Sequence, residues 1–157
     1  LSFDPNIREP LWKDMEDART QMAYGLSVCD ILKISDNEIQ WFSGKEDYTE
    51  GIHMLQQTYQ IPLILLSMGK DGSRAYYKDM LVEVPAFLQK NTIETTGAGD
   101  TFGACCLHHI LKYGLDNLTK QQLKEMLTFA NAAASIITTR KGALRVMPSL
   151  EEIQRLL

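Results

Sequence analysis

The stretch Ile93-Glu-Thr-Thr-Gly-Ala-Gly-Asp100-Thr-Phe-Gly-Ala104 brings together the residue types that anion chemistry needs. Gly97 and Gly99 flank Ala98, and an amphipathic pattern follows at once. A glycine turn that opens a helix points backbone N–H groups outward and adds the positive end of the helix dipole. The amides of Gly97, Ala98 and Gly99 are therefore candidates for an anion hole. Asp100 sits at the lip of that cradle, where its carboxylate would repel a phosphate. One explanation is structural, because Asp is favoured as a helix N-cap and stabilises the helix by about 1 kcal/mol. The other is chemical. If the cradled phosphate is being transferred, an acceptor hydroxyl lies beside it and must lose a proton. A carboxylate placed there is a general base, worth about 10²–10⁴ in rate, while the same amides stabilise charge on the moving phosphoryl group. The residues leave both explanations open. No Gly-Lys-Ser/Thr follows the glycines, so this is not a Walker A loop. Gly103 arrives out of phase for a dinucleotide fingerprint.

The surrounding pattern sets the elements that must hold this turn. Short apolar runs alternate with helical periodicity, which predicts an α/β layer fold with a mainly parallel sheet. Strands are expected at Leu1–Asp4, Asp30–Ser35, Pro62–Ser67, Ser73–Lys78 and Leu81–Val84, with a short one near Leu144–Met147. The pair around Asp79-Met80 reads as a hairpin. Ser35-x-x-Glu38 opens a helix that Gly44 closes. Thr119-x-x-Gln122 is a capping box with Leu118 and Leu123 at hydrophobic-staple positions, and Ser149-x-x-Glu152 after Pro148 starts the last helix. Leu123, Met126, Leu127, Ala130, Ala134 and Ile137 keep helical spacing. The helix after the glycine turn is expected to bury Phe102, Cys105, Cys106, Ile110 and Tyr113, which makes those cysteines small core residues. His108 and His109 are consecutive and point to different sides of it.

Composition narrows the function classes. The chain is 45% apolar and 23% charged, within the range of ordinary globular protein. Its formal net charge of -4 argues against capture of nucleic acid or an anionic membrane. The longest apolar run, near Ile61–Met68, is too short to span a bilayer, and no signal peptide is visible. Three cysteines without a CxxC pair suggest reduced thiols and no metal cluster. The start at Leu1 reads as the tail of a strand, so the expectation is a fragment.

Five ordered stretches then carry a resemblance. Glu94-Thr-Thr-Gly-Ala-Gly-Asp-Thr-Phe resembles the C-terminal signature of the ribokinase-like (PfkB-type) carbohydrate kinases. Phe3-Asp-Pro-Asn-Ile-Arg8 with Leu11-Trp12 is similar to the Asp-Pro-Asn-x-Arg segment of bacterial fructokinases and their keto-deoxy-sugar kinase relatives. Lys33-Ile-Ser-Asp-Asn-Glu38 resembles the family's metal-side segment, and Leu66-Ser-Met-Gly-Lys-Asp-Gly72 its nucleotide-phosphate loop. Asn131-Ala-Ala-Ala and Thr139-Arg-Lys-Gly-Ala143 resemble its adenine-side helix and cation loop.

The resemblance implies roles residue by residue. Asp100 is the base that deprotonates the sugar's primary hydroxyl, and the Gly97, Ala98 and Gly99 amides are the anion hole. Glu38 holds the magnesium–phosphate end of ATP through water; the same side chain is also the third member of the Ser35–Glu38 capping box. Ser67, Gly69 and Gly72 lie along the nucleotide phosphates, or else form an ordinary strand-end turn. Asn131 sits near adenine, or else is a polar residue near a helix surface. Arg8 reaches the sugar or the transferred phosphate, where its planar fork suits an anion; the alternative is a surface salt bridge. Glu94 lies beside a monovalent-cation (K⁺) site completed by carbonyls near Ile137, Arg140 and Gly142. Two positions depart from the family: Glu94 stands where Asp is common, and Ser35 where many members carry Asn.

The fold so implied is ribokinase-like and three-layered. Residues 1–157 are expected to be one truncated domain, the C-terminal nucleotide-binding and catalytic half, without the N-terminal strands, most of the sugar pocket and the lid. The parent is expected to be a cytoplasmic, ATP- and Mg²⁺-dependent sugar kinase converting fructose to fructose 6-phosphate, with a homodimer as its assembly. The fragment alone is expected to be inactive. Alternatives are a 2-keto-3-deoxygluconate or other sugar kinase, a non-catalytic nucleotide-binding module, and a purely structural α/β domain.

Overall fold

A computed structural model describes residues 1–157. The chain orders its elements as β1 (Ser2–Phe3), α1 (Met15–Val28), β2 (Ile31–Ser35), α2 (Asp36–Ser43), α3 (Tyr48–Tyr59), β3 (Leu63–Ser67), β4 (Ser73–Tyr77), β5 (Met80–Val84), α4 (Ala98–Tyr113), α5 (Lys120–Ile137) and α6 (Leu150–Leu156). The strands follow chain order along the sheet. Packing divides the chain into two compact units. Leu1–Ser67 and Tyr76–Met80 form the first; Met68–Ala75 and Leu81–Leu157 form the second.

In the first unit β1, β2 and β3 run parallel, with Phe3 opposite Leu32 and Ser35 opposite Ser67. Leu32 and Ile34 of β2 and Leu63–Leu66 of β3 are buried as near-continuous apolar runs, as expected for parallel strands covered on both faces. Helix α1 buries Ala18, Met22 and Leu26, one stripe at i, i+4, i+8 spacing. Helix α2 starts on the Ser35–Glu38 capping box and ends at Gly44, whose φ of 68° is left-handed.

In the second unit the apolar face of α5 buries Leu123, Met126, Leu127, Ala130 and Ile137, and α4 buries Phe102, Cys106 and Ile110. Ala132, Ala133 and Ile153 form a cluster with Phe87, Cys105, Phe129, Ile136 and Leu156 packed on it, which docks α6. The Thr119–Gln122 and Ser149–Glu152 capping boxes are both present.

Three expectations about these elements need correction. Leu144–Val146 is a 3₁₀ turn and not a strand. The run is held by local bonds, Val146 N–H to the Ala143 carbonyl (3.1 Å) and Arg140 Nη1 to the Val146 carbonyl (3.0 Å), with no strand beside it. Tyr113 is 39% exposed because the buried stripe of α4 ends at Ile110; its ring lies instead under the Lys112 ammonium, 4.9 Å from the centroid. Cys105 is half-buried, whereas Cys106 is fully buried.

Candidate active site

The first unit places candidate residues at the carboxyl ends of its parallel strands, the place where open α/β sheets bind ligands. The loop after β1 carries Asp4 and Arg8, the start of α2 after β2 carries Glu38, and Ser67 is the last residue of β3. Ser35 and Ser67 stand opposite each other in register. The Asp4–Arg8 loop is strapped down at two points. Lys33 Nζ pairs with Asp4 Oδ2 at 3.2 Å, and the Ile7 N–H donates to Glu38 Oε1 at 2.9 Å. Between them Asn6 takes a left-handed φ of 44°, a conformation that Asn tolerates better than most residues. Arg8 is exposed.

Glu38 has little freedom. Its Oε2 accepts the Ser35 N–H (2.9 Å) and the Ser35 hydroxyl (2.7 Å), and its own N–H donates to Ser35 Oγ (3.4 Å). With the Ile7 bond, three donors converge on one half-buried carboxylate. A carboxylate offers about four lone-pair sites, so one acceptor position on Oε1 stays available to a metal-bound water.

In the second unit Gly69 and Gly72 form a tight turn at the end of β3, closed by the Met68 N–H to Gly72 carbonyl bond of 2.9 Å. Gly72 has φ 100°, and a Cβ there would stand 2.2 Å from the Val84 carbonyl oxygen. Only glycine fits. Asn131 is no surface residue: it is 8% exposed. Its Oδ1 accepts from Ser73 Oγ at 2.9 Å, and its Nδ2 donates to the Val84 and Pro85 carbonyls at 3.2 and 3.1 Å. The amide therefore fixes the end of the hairpin to α5.

The glycine turn before α4 differs from expectation in one respect. Asp100 is not the N-cap. Gly97 is, with φ 78° and no side chain to cap the helix, and Asp100 is the third residue of the first turn. The first N–H groups of a helix lack intrahelical acceptors, and here no side chain supplies one. The Ala98 N–H alone is directed elsewhere, to the Thr95 carbonyl at 3.1 Å. Asp100 is exposed and has no hydrogen-bond or ion-pair partner. Beside it Thr101 is 3% exposed with its hydroxyl unpartnered. Glu94 reaches across the loop that follows α5: its Oε1 accepts the Gly142 N–H at 2.6 Å.

Several of these partners carry no local sequence signal. Ser73 and Asn131 are 58 residues apart, and Glu94 and Gly142 are 48 apart. The thiols are core groups: burial pushes Cys105 up to about 11 and Cys106 well above the usual thiol range. No group of three or more His, Cys, Asp or Glu side chains gathers as a metal cluster, and no helix is long and apolar enough to cross a membrane.

Comparison with known proteins meets this geometry. The profile of the "pfkB family carbohydrate kinase" matches residues 1–150. Fructokinase-1 of Zea mays is 35% identical over 157 residues, all of this chain and 48% of that protein. A fructokinase of Klebsiella pneumoniae is 36% identical over 156 residues, 99% of this chain and 50% of its own length. The crystal structure of a Vibrio cholerae fructokinase bound to fructose, ADP and calcium superposes with a TM-score of 0.88 at 28% identity, covering 99% of this chain and 50% of that one. The chain thus spans about half the length of the relatives it matches.

Proposed function

The chain belongs to the pfkB family of carbohydrate kinases, and from that premise we propose that the complete gene product transfers the γ-phosphoryl group of ATP to a sugar hydroxyl, converting fructose to fructose 6-phosphate. The observation that carries this reading is Asp100: an exposed carboxylate without a partner, in the first turn of a helix whose N-terminus has a bare glycine cap. Asp100 takes the proton of the attacking hydroxyl. The uncapped amides of the Gly97–Gly99 turn stabilise charge on the phosphoryl group as it moves. Ala98 serves through its place in the turn, since its N–H already faces Thr95.

Ser67, Gly69 and Gly72 run along the phosphates of ATP. Asn131 supports the adenine side indirectly, by holding the hairpin end with an amide whose polar atoms are engaged. Arg8 binds the sugar or the transferred phosphate through a guanidinium that the strapped loop presents to solvent. Glu38 fits a role on the magnesium side through its one remaining acceptor site, and magnesium supplies charge neutralisation at the phosphates when bound. The fructose and ADP bound in the Vibrio cholerae structure support a sugar and an adenine nucleotide as ligands, and the three free thiols fit a cytoplasmic enzyme.

Transfer of labelled phosphate from ATP to fructose, in competition with 2-keto-3-deoxygluconate, tests the assignment. Fructose 6-phosphate is expected as the main product. Phosphorylation of the keto-deoxy acid with fructose untouched would replace the acceptor, and no transfer to either would remove the kinase reading.

A further inference from the structure

We propose that Glu94 is a positioning residue that locks the loop after α5 against the Gly97 turn with its own carboxylate, so that the enzyme needs no monovalent cation to hold that loop. The proposal rests on the anion-hole reading of the Gly97 turn. The loop and the turn are in close contact: a Cβ on Gly97 would stand 3.2 Å from Ala143 Cβ and 3.3 Å from Ile137 Cδ1. Any displacement of residues 138–143 therefore reaches Gly97, whose left-handed φ sets where the first-turn amides point. Backbone bonds fasten one end of the loop, from the Ile93 and Glu94 N–H groups to the Thr138 carbonyl at 2.8 and 3.3 Å. Arg140 fastens the other through the Val146 carbonyl and an ion pair with Glu152. Between these anchors Gly142, with φ 121°, turns its N–H onto Glu94 Oε1 at 2.6 Å.

That bond occupies the span a bridging cation would fill. With the Gly142 N–H 2.6 Å from Glu94 Oε1, no ion fits between that oxygen and the Gly142 backbone. The bond also depends on side-chain length. An Asp at position 94 would fall short by roughly 1.5 Å, one C–C bond, and would leave a gap between carboxylate and loop that a cation could bridge. Glu94 closes the gap directly, with a charge-assisted hydrogen bond of the stronger kind.

The test uses the complete gene product, wild type and Glu94→Asp, in potassium chloride and in tetramethylammonium chloride at equal ionic strength. Wild type is expected to change by less than about twofold in kcat/KM for ATP between the two salts. Glu94→Asp is expected to lose about tenfold in tetramethylammonium, the scale of one lost charged hydrogen bond, and to recover in potassium. Amide hydrogen exchange at Gly142 is expected to quicken by about tenfold in the variant, with thermal melts confirming that both proteins are folded. Potassium activation of wild type by tenfold or more would overturn the proposal, as would unchanged Gly142 exchange in Glu94→Asp. Should wild type transfer nothing in either salt, the kinase reading falls, and the exchange rate still decides the tether.

Discussion

Glu38 and Asp100 occupy the same position in their helices, the third residue of the first turn of α2 and of α4. Their surroundings give them opposite properties. Glu38 follows a serine N-cap, and its carboxylate is bonded by the Ser35 N–H, the Ser35 hydroxyl and the Ile7 N–H. Asp100 follows a glycine N-cap and bonds nothing. A residue type at a helix start is therefore uninformative until the residue three positions earlier is read with it. Serine there turns the carboxylate into structure. Glycine in a left-handed turn leaves it to solvent.

The largest expected effect comes from removing the two charges separately. Asp100→Asn is expected to lower kcat by about 10²–10⁴ while the dissociation constant for ATP changes by less than about threefold. Its melting temperature should fall only slightly, since an exposed carboxylate at a helix N-terminus contributes about 0.3–1 kcal/mol. Glu38→Gln reverses the pattern in the melt. An amide offers one acceptor oxygen to three donors, and unsatisfied partly buried groups cost about 1–3 kcal/mol. Equal melting losses in the two variants would erase the distinction drawn between them.

The bare cap itself can be attacked next. Gly97→Ala puts a side chain into a φ of 78°, which costs about 1–2 kcal/mol, and its Cβ then presses on Ala143. Gly72→Ala is the sharper case, because its Cβ would meet the Val84 carbonyl oxygen at 2.2 Å and backbone must move; overpacking adds about 1–3 kcal/mol to the strain. Thermal melts should rank Gly72→Ala below Gly97→Ala. Activity should rank the other way once each loss is corrected for the unfolded fraction, because Gly97 sets the amides to which the phosphate-binding role is proposed. Melts in the opposite order would mean that neighbouring backbone yields more readily around Gly72.

What the sequence made legible follows the range of the interactions. All three capping boxes are i, i+3 devices within four residues, and each stands where its Ser or Thr and its Glu or Gln predict. The parallel strands are legible because their apolar runs are continuous. The cap position is not legible, because Asp is a common N-cap while the actual cap, Gly97 in a left-handed turn, leaves no side-chain signature of its own. Leu144–Val146 looked like a strand because an apolar run says nothing about whether a neighbouring ladder exists. The burial of Asn131 is not legible, and the sequence leaves it open between an adenine-side residue and a helix-surface one, because its partners, Ser73 and the Val84–Pro85 carbonyls, come from the distant hairpin. Glu94 and Gly142 meet only once α5 has turned the chain back.

The smallest effect tests whether the capping-box class holds outside the site. Glu152 is the third residue of α6, boxed with Ser149 as Glu38 is with Ser35. Hydrogen bonding from the Ser149 backbone N–H, first, and then from the Arg140 side chain holds its carboxyl below the usual carboxylate range. The folded chain thus binds that proton less readily than the unfolded chain does. The stabilisation is complete above the unfolded value, near 4.5, and is lost as the pH falls through the lower folded value. Glu152→Gln removes the titrating group. The melting temperature of wild type should exceed that of the variant at pH 6, by a small margin because the side chain is 40% exposed and solvent weakens the ion pair. The margin should narrow steadily below pH 4.5. A gap that stays constant from pH 6 down to pH 3.5 would show that the side chain contributes through shape and hydrogen-bond count alone, and a boxed carboxylate would then owe nothing to its charge.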